Sequence, residues 1–179
     1  IYVALPVETV GANFLAASVR EHLEGAAIAV WTTTPWTIPS NLAVGVNEAL
    51  VYAVVQTDEG KLVVAEELIP VLEDKLGTKM SILCTFKGSE IEGTTYRHPL
   101  FDRVSPVVIG GDYITTDAGT GLVHTAPGHG QDDYIVGQKY GLELLSPVDD
   151  AGRFTDEAGQ FAGLQVQTEG TDAVIEALR

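Results

Sequence analysis

Chemistry concentrates in two stretches of this chain. Trp31-Thr32-Thr33-Thr34-Pro35-Trp36-Thr37-Ile38-Pro39-Ser40-Asn41 gathers hydroxyls and two indoles into a segment stiffened by proline. Gly119-Thr120-Gly121-Leu122-Val123-His124-Thr125-Ala126-Pro127-Gly128-His129-Gly130-Gln131-Asp132-Asp133-Tyr134 sets two imidazoles and two adjacent carboxylates in a glycine-punctuated turn. A plain structural loop needs neither set. Together they have the make-up of two walls of a polar pocket that binds and hydrolyses something small.

Asp132 and Asp133 fall in the first turn of a helix predicted over Gln131–Tyr140. Complementing the helix dipole, worth ~0.3–1 kcal/mol each, accounts for a carboxylate there. Adjacent helical positions point about 100° apart, so the two cannot play the same part. One is expected to face water and the other inward, where amide dipoles keep it ionised and suited to holding an ammonium. His124 ends an apolar strand, either as a satisfied structural histidine or as a wall of the pocket. A metal site built from His124, His129 and a carboxylate matches no strong zinc spacing and lacks cysteine ligands.

Thr32, Thr33 and Thr34 fit β-propensity alone. Pro35, however, should end ladder pairing and hold Thr34 extended. Free N–H groups and hydroxyls are then presented together to a ribose, a carbonyl oxygen or a water. Other templates fail. There is no Gly-x-Ser-x-Gly elbow, no P-loop and no His-Glu-x-x-His. Gly119-Thr120-Gly121 precedes a strand instead of following one, so it is not a dinucleotide fingerprint.

The elements that must position these residues are mostly strands. Candidates are Ile1–Leu5, Ala27–Thr32, Val51–Gln56, Lys61–Val64, Ser81–Phe86, Val104–Ile109 and Gly121–His124, with a hairpin turn at Asp58-Glu59-Gly60. Helical periodicity marks Ala12–Glu24, Ala65–Leu76, Gln131–Tyr140 and Thr171–Arg179, two of them closed by Gly77 and Gly141. Ser146–Gly163, rich in Asp and Gly, reads as a long surface loop. The pattern predicts a mainly β (α+β) fold, a β-barrel core with short peripheral helices. Strands and helices do not alternate regularly enough for a doubly wound sheet.

With 179 residues, 45% of them hydrophobic and 20% charged, the chain has ordinary globular composition and length for a real core. No apolar run approaches the ~18–20 residues that cross a bilayer. A lone Cys84, within a predicted strand, excludes an internal disulfide and reads as an inert thiol in a reducing compartment. The formal charge of −15 equips the chain poorly for gripping phosphates. A substrate carried on a nucleic acid would need its grip from elsewhere in a longer protein. Both ends read as cut, so residues 1–179 are expected to be one domain excised from such a protein.

The two stretches resemble the editing domain, connective peptide 1, inserted in isoleucyl-tRNA synthetases. Residues 31–41 and 119–134 carry the resemblance, and Gly137-Gln138-Lys139-Tyr140-Gly141 continues it. It extends over essentially the whole chain, most strongly Trp31–Val46 and Gly119–Val148, while the opening through Gly25 takes no function from it. The related valyl and leucyl enzymes usually read Arg-Pro-Glu where this chain has Thr34-Pro35-Trp36.

The resemblance implies a cytoplasmic, cofactor-free hydrolase that proofreads misactivated valine. It would deacylate valyl-tRNA for isoleucine and clear valyl-adenylate. The valine/isoleucine pair is the standard illustration of limited discrimination, one methylene being worth only ~1–3 kcal/mol. By the resemblance, Asp133 binds the α-ammonium, and Thr32, Thr33 and Thr34 contact the terminal adenosine and attacking water. Asn41 helps define the pocket, Trp36 gives an apolar wall and His124 is the size gate. The rest of the synthetase would grip the tRNA, leaving the excised domain monomeric and away from membranes. Two rivals stand beside this reading: a valyl-type site that clears threonine, and a binding module inactive without the rest of the synthetase.

Overall fold

A computed structural model describes residues 1–11 and 15–179, which form two compact units. The larger holds Tyr2–Trp31 and Ala43–His124; the smaller holds Ile1, Thr32–Leu42 and Thr125–Arg179. Both chemistry-bearing stretches are therefore divided, one between Trp31 and Thr32, the other between His124 and Thr125.

The strands are β1 (Tyr2–Thr9), β2 (Ala26–Trp31), β3 (Ala43–Val46), β4 (Val51–Thr57), β5 (Gly60–Ala65), β6 (Ser81–Lys87), β7 (Thr95–Arg97), β8 (Val104–Ile109) and β9 (Val123–Thr125). They form a nine-stranded mixed sheet in the order β6-β4-β5-β2-β1-β7-β8-β3-β9. β2 runs parallel to β5 and β3 parallel to β8, while β1–β2, β1–β7, β4–β5, β4–β6 and β7–β8 are antiparallel. β2 reads Ala-Ala-Ile-Ala-Val-Trp and is buried along most of its length, as a mid-sheet strand covered on both faces must be. β6, at one end of the order, leaves Ile82 and Leu83 exposed.

The mainly-β core with short helices is as expected. The Asp58-Glu59 turn joins β4 to β5 with Thr57 opposite Gly60, and the Thr57 hydroxyl donates to the Gly60 carbonyl at 2.8 Å. β3 and β7 were not expected from the sequence. β3 is buried at all four positions and β7 has three residues, so neither shows a period-2 pattern. Their neighbours in the sheet define them. The last predicted strand starts later than expected, at Val123, because Gly121 holds φ at +78°.

The helices are α1 (Ala17–Leu23), α2 (Ile69–Leu76), α3 (Gly88–Ile91), α4 (Gln131–Tyr140) and α5 (Thr171–Ala177). Residues 12–14 of the helix expected from Ala12 lie outside the described residues. α2 begins after a 3-10 turn at Glu66–Leu68 with proline in its first turn. Gly77 and Gly141 close α2 and α4 in the left-handed region, at φ 65° and 66°. Among the described residues no helix is long and apolar enough to cross a membrane.

One polar tie in the larger unit bears on β9. Tyr52, fully buried in β4, accepts the Asn47 N–H at 3.0 Å and donates to the Gly121 carbonyl at 2.8 Å. Burial pushes its phenol up to about 12, so the donor proton stays on. The Ala65 N–H also bonds the Thr120 carbonyl at 2.8 Å. Thr120 is thereby fastened to the end of β5 and Gly121 to β4, just before the strand carrying His124.

In the smaller unit, a 3-10 turn over Pro35–Ser40 packs against α5 and against the turn Val166–Gly170. Its core includes Ile38, Val136, Phe154, Phe161 and Val174. The segment Ser146–Gly163 corrects the expectation of a surface loop. Val148 bridges Phe154, a 3-10 turn spans Asp156–Phe161, and Phe154, Ala158 and Phe161 are buried. Those three apolar side chains anchor what the Asp and Gly content made look solvated.

Candidate functional site

Asp133 occupies the third position of α4, whose N-cap Gly130 carries no capping side chain. Asp132 is exposed and Asp133 half-buried, the division expected of adjacent helical positions. A third-position acid commonly reaches back to the N-cap amide. Asp133 reaches past it: its Oδ2 accepts the Ala126 N–H at 2.9 Å. The ionisation balance differs from the expectation based on amide dipoles. Burial pushes the carboxyl above its ordinary 3.8, the Ala126 N–H opposes that, and the Asp132 charge adds a smaller upward push. Desolvation outweighs the favourable N–H contact. One N–H uses one of about four acceptor positions of a carboxylate, which leaves capacity for an ammonium.

The threonine segment begins where β2 ends. The Thr32 N–H bonds the Ile1 carbonyl at 3.0 Å, and the Ile1 ammonium donates to the Thr32 carbonyl at 2.7 Å. The buried Thr32 hydroxyl accepts the Thr34 N–H at 2.9 Å. The expectation of free N–H groups is thus corrected for Thr32 and Thr34, whose amides are engaged. Thr34 has φ −125° and ψ 69°, short of the extended ψ expected before proline. It departs from that shape because it caps the turn that follows, its carbonyl accepting both the N–H and the hydroxyl of Thr37, at 3.1 and 2.8 Å. Thr33 is exposed, Thr34 and Trp36 are half-buried, and Asn41 is buried.

The structure brings Thr32, Thr33, Thr34, Trp36, Asn41 and Asp133 into one compact unit. His124, buried at 8% exposure in β9, belongs to the other, one residue before the boundary.

Two residues emerge that the sequence singled out for no such role. The Ser40 hydroxyl lies 2.9 Å from His129 Nε2, and the His129 ring meets the Trp36 ring edge-on at 5.1 Å and 85°. Burial lowers the His129 pKa, which keeps its imidazole neutral at pH 7. The sequence offered one signal, a second histidine in the turn that precedes the acidic helix start. Cys84 is half-buried, and burial raises its pKa despite weaker opposing effects of the Val54 backbone and the Lys61 charge, so it is a thiol at neutral pH. Among the described residues no group of three or more His, Cys, Asp or Glu stands where it could hold a metal ion.

No protein-family model matches the chain. Two solved structures share its fold: GlLeuRS-CP1, at TM-score 0.71 and 17% identity over 99% of this chain and 95% of that one, and the P. knowlesi cytosolic leucyl-tRNA synthetase editing domain, at TM-score 0.58 and 14% identity over 80% and 65%. The fold is therefore that of the CP1 editing domains of class I aminoacyl-tRNA synthetases.

Sequence similarity narrows this. The chain is 56% identical over 185 residues to isoleucine–tRNA ligase of Nostoc punctiforme and 57% identical over 179 residues to that of Microcystis aeruginosa. Each match takes in 99% of this chain but only 19% and 18% of the relative. Over nearly its whole length the chain is similar to one segment of the isoleucine–tRNA ligases, and it spans under a fifth of their length.

Proposed function

We propose that this chain is the editing domain of an isoleucine–tRNA ligase and hydrolyses valine wrongly esterified to isoleucine tRNA, and valyl-adenylate, in the cytoplasm. One observation carries the reading: a half-buried carboxylate at the start of α4, held among the described residues by one backbone N–H. Such a group bears a desolvation penalty that an arriving α-ammonium relieves. Asp133 thus favours a ligand with a free amine and fixes the adjoining ester carbonyl for attack.

No activated nucleophile is needed, because an aminoacyl ester is already reactive and positioning supplies much of the rate. Water attacks the carbonyl, assisted by the vicinal hydroxyl of the terminal ribose, with Thr33 and Thr34 beside it. Thr32 supports the segment through the Thr34 N–H. Trp36 lines the acyl pocket, and the buried Asn41 helps define it from behind without touching the ester. His124 takes the role of size-selective wall from the sequence resemblance alone.

The test is deacylation of valyl-, threonyl- and isoleucyl-tRNA by the full-length protein and its Asp133→Asn variant. The expected result is rapid hydrolysis of the valyl ester only, lost in the variant. Preferential hydrolysis of the threonyl ester would move the site to the valyl type. Wild-type rates in Asp133→Asn would remove the amine anchor.

A further inference from the structure

We infer that His129 is a positioning residue for this chemistry, clasped to Ser40 so that the turn before α4 holds the Asp133 carboxylate in place. The inference rests on the reading of Asp133 as the amine anchor. It starts from a chain of contacts within the smaller unit. Ser40, 1% exposed, sits at the end of the Pro35–Ser40 turn, with its hydroxyl 2.9 Å from His129 Nε2. The His129 N–H donates to the Ala126 carbonyl at 2.9 Å. The N–H of the same Ala126 donates to Asp133 Oδ2 at 2.9 Å. Ala126 is thus held on one side by His129 and holds the carboxylate on the other.

Two further contacts fasten the same segments together. The Leu42 N–H bonds the Thr125 carbonyl at 3.0 Å, and the Trp36 ring abuts the imidazole edge-on. The turn carrying Trp36 and Ser40 is itself backed by α5. Displacement of the imidazole therefore shifts the amide that aims Asp133.

The Ser40–His129 pair has the composition of a nucleophile with its base, but burial argues against that use. A hydroxyl 1% exposed cannot meet an ester carried at the end of a tRNA. The pair holds the turn, and no acyl-enzyme on Ser40 is formed.

The test uses the full-length protein with valyl-tRNA under single- and multiple-turnover conditions, with thermal melting of each variant. Ser40→Ala and His129→Ala should each lower kcat by ~10–100-fold, the scale of ångström-sized misplacement, with KM changed less than about threefold. His129→Gln places an amide where Nε2 stood and should recover most of the rate. The double Ser40→Ala/His129→Ala variant should cost no more than the worse single change, since both break one contact.

Unchanged kcat in Ser40→Ala, a small change that leaves the turn packed, overturns the inference, as do additive losses or failure of glutamine to rescue. Should His129→Ala melt below the assay temperature, Ser40→Ala and His129→Gln decide. Asp133→Asn run in parallel separates the two levels. If it is inactive while the Ser40 and His129 variants are not, only the clasp falls. If it is fully active, the anchor itself is wrong.

Discussion

A half-buried carboxylate whose charge is met, among the described residues, only by a backbone N–H is an unfavourable arrangement to keep, and Asp133 is such a group. Burial raises its folded-state pKa above 3.8, so in acid the folded protein holds this proton more firmly than the unfolded chain does. Its contribution to stability is therefore largest at low pH and declines as pH rises from 3.8 through the raised value. Removing the charge should not cost stability at pH 7: Asp133→Asn, whose amide oxygen can still accept the Ala126 N–H, should melt at or above the wild-type temperature while losing editing. A clear drop in melting temperature would show that the charge is stabilising. For the wild type, the acid limb of the deacylation rate should lie above that of an ordinary carboxylate, since protonation removes the grip on the amine. By the role that the resemblance gives His124, His124→Ala should expose correctly charged isoleucyl-tRNA to hydrolysis. A rigid wall overpacked by one methylene costs ~1–3 kcal/mol, a loss that the variant relieves. If the variant leaves isoleucyl-tRNA intact, His124 is not the wall.

At the scale of elements, α4 was legible in full, from Gln131 to Tyr140, because its stop signal and its acidic start are local features. What α4 packs on was not. Gly137 lies in mid-helix, where glycine costs about 0.5–1 kcal/mol relative to alanine. A Cβ there would lie 2.8 Å from Pro127 Cγ, and a proline ring cannot swing aside. Overpacking, at ~1–3 kcal/mol, outweighs the propensity gain. Gly137→Ala should therefore lower stability in denaturant titration and shift α4 relative to the turn before it, reducing editing as well. Equal or higher stability would mean that α4 yields more readily than this spacing implies. β3 and β7 were illegible for the reason that makes α4 legible: three or four residues carry no period, and only partners such as β8 define them.

Across the whole molecule, charge sets a limit on partners. With a formal charge of −15, the chain has few cations with which to displace counterions from a nucleic acid. By itself it should bind mischarged tRNA no more tightly than the ~10⁻⁴–10⁻⁶ M range of non-specific contacts at physiological salt. Submicromolar binding in a titration under those conditions would contradict this.

The candidates for chemistry could be picked out along the chain: Asp133 beside Asp132 at a helix start, the threonines before Pro35 and the histidine closing an apolar strand. Residue type, helical phase and proline are local properties, and they survive without knowledge of what packs on what. Folding in three dimensions was needed to turn the Thr32 hydroxyl to the Thr34 amide, to bury a segment rich in Asp and Gly through Phe154 and Phe161, and to bring Ser40 to His129 across 89 positions. It also reversed the balance at Asp133. Desolvation depends on every neighbour that excludes water, whereas the dipole of α4 belongs to the helix alone.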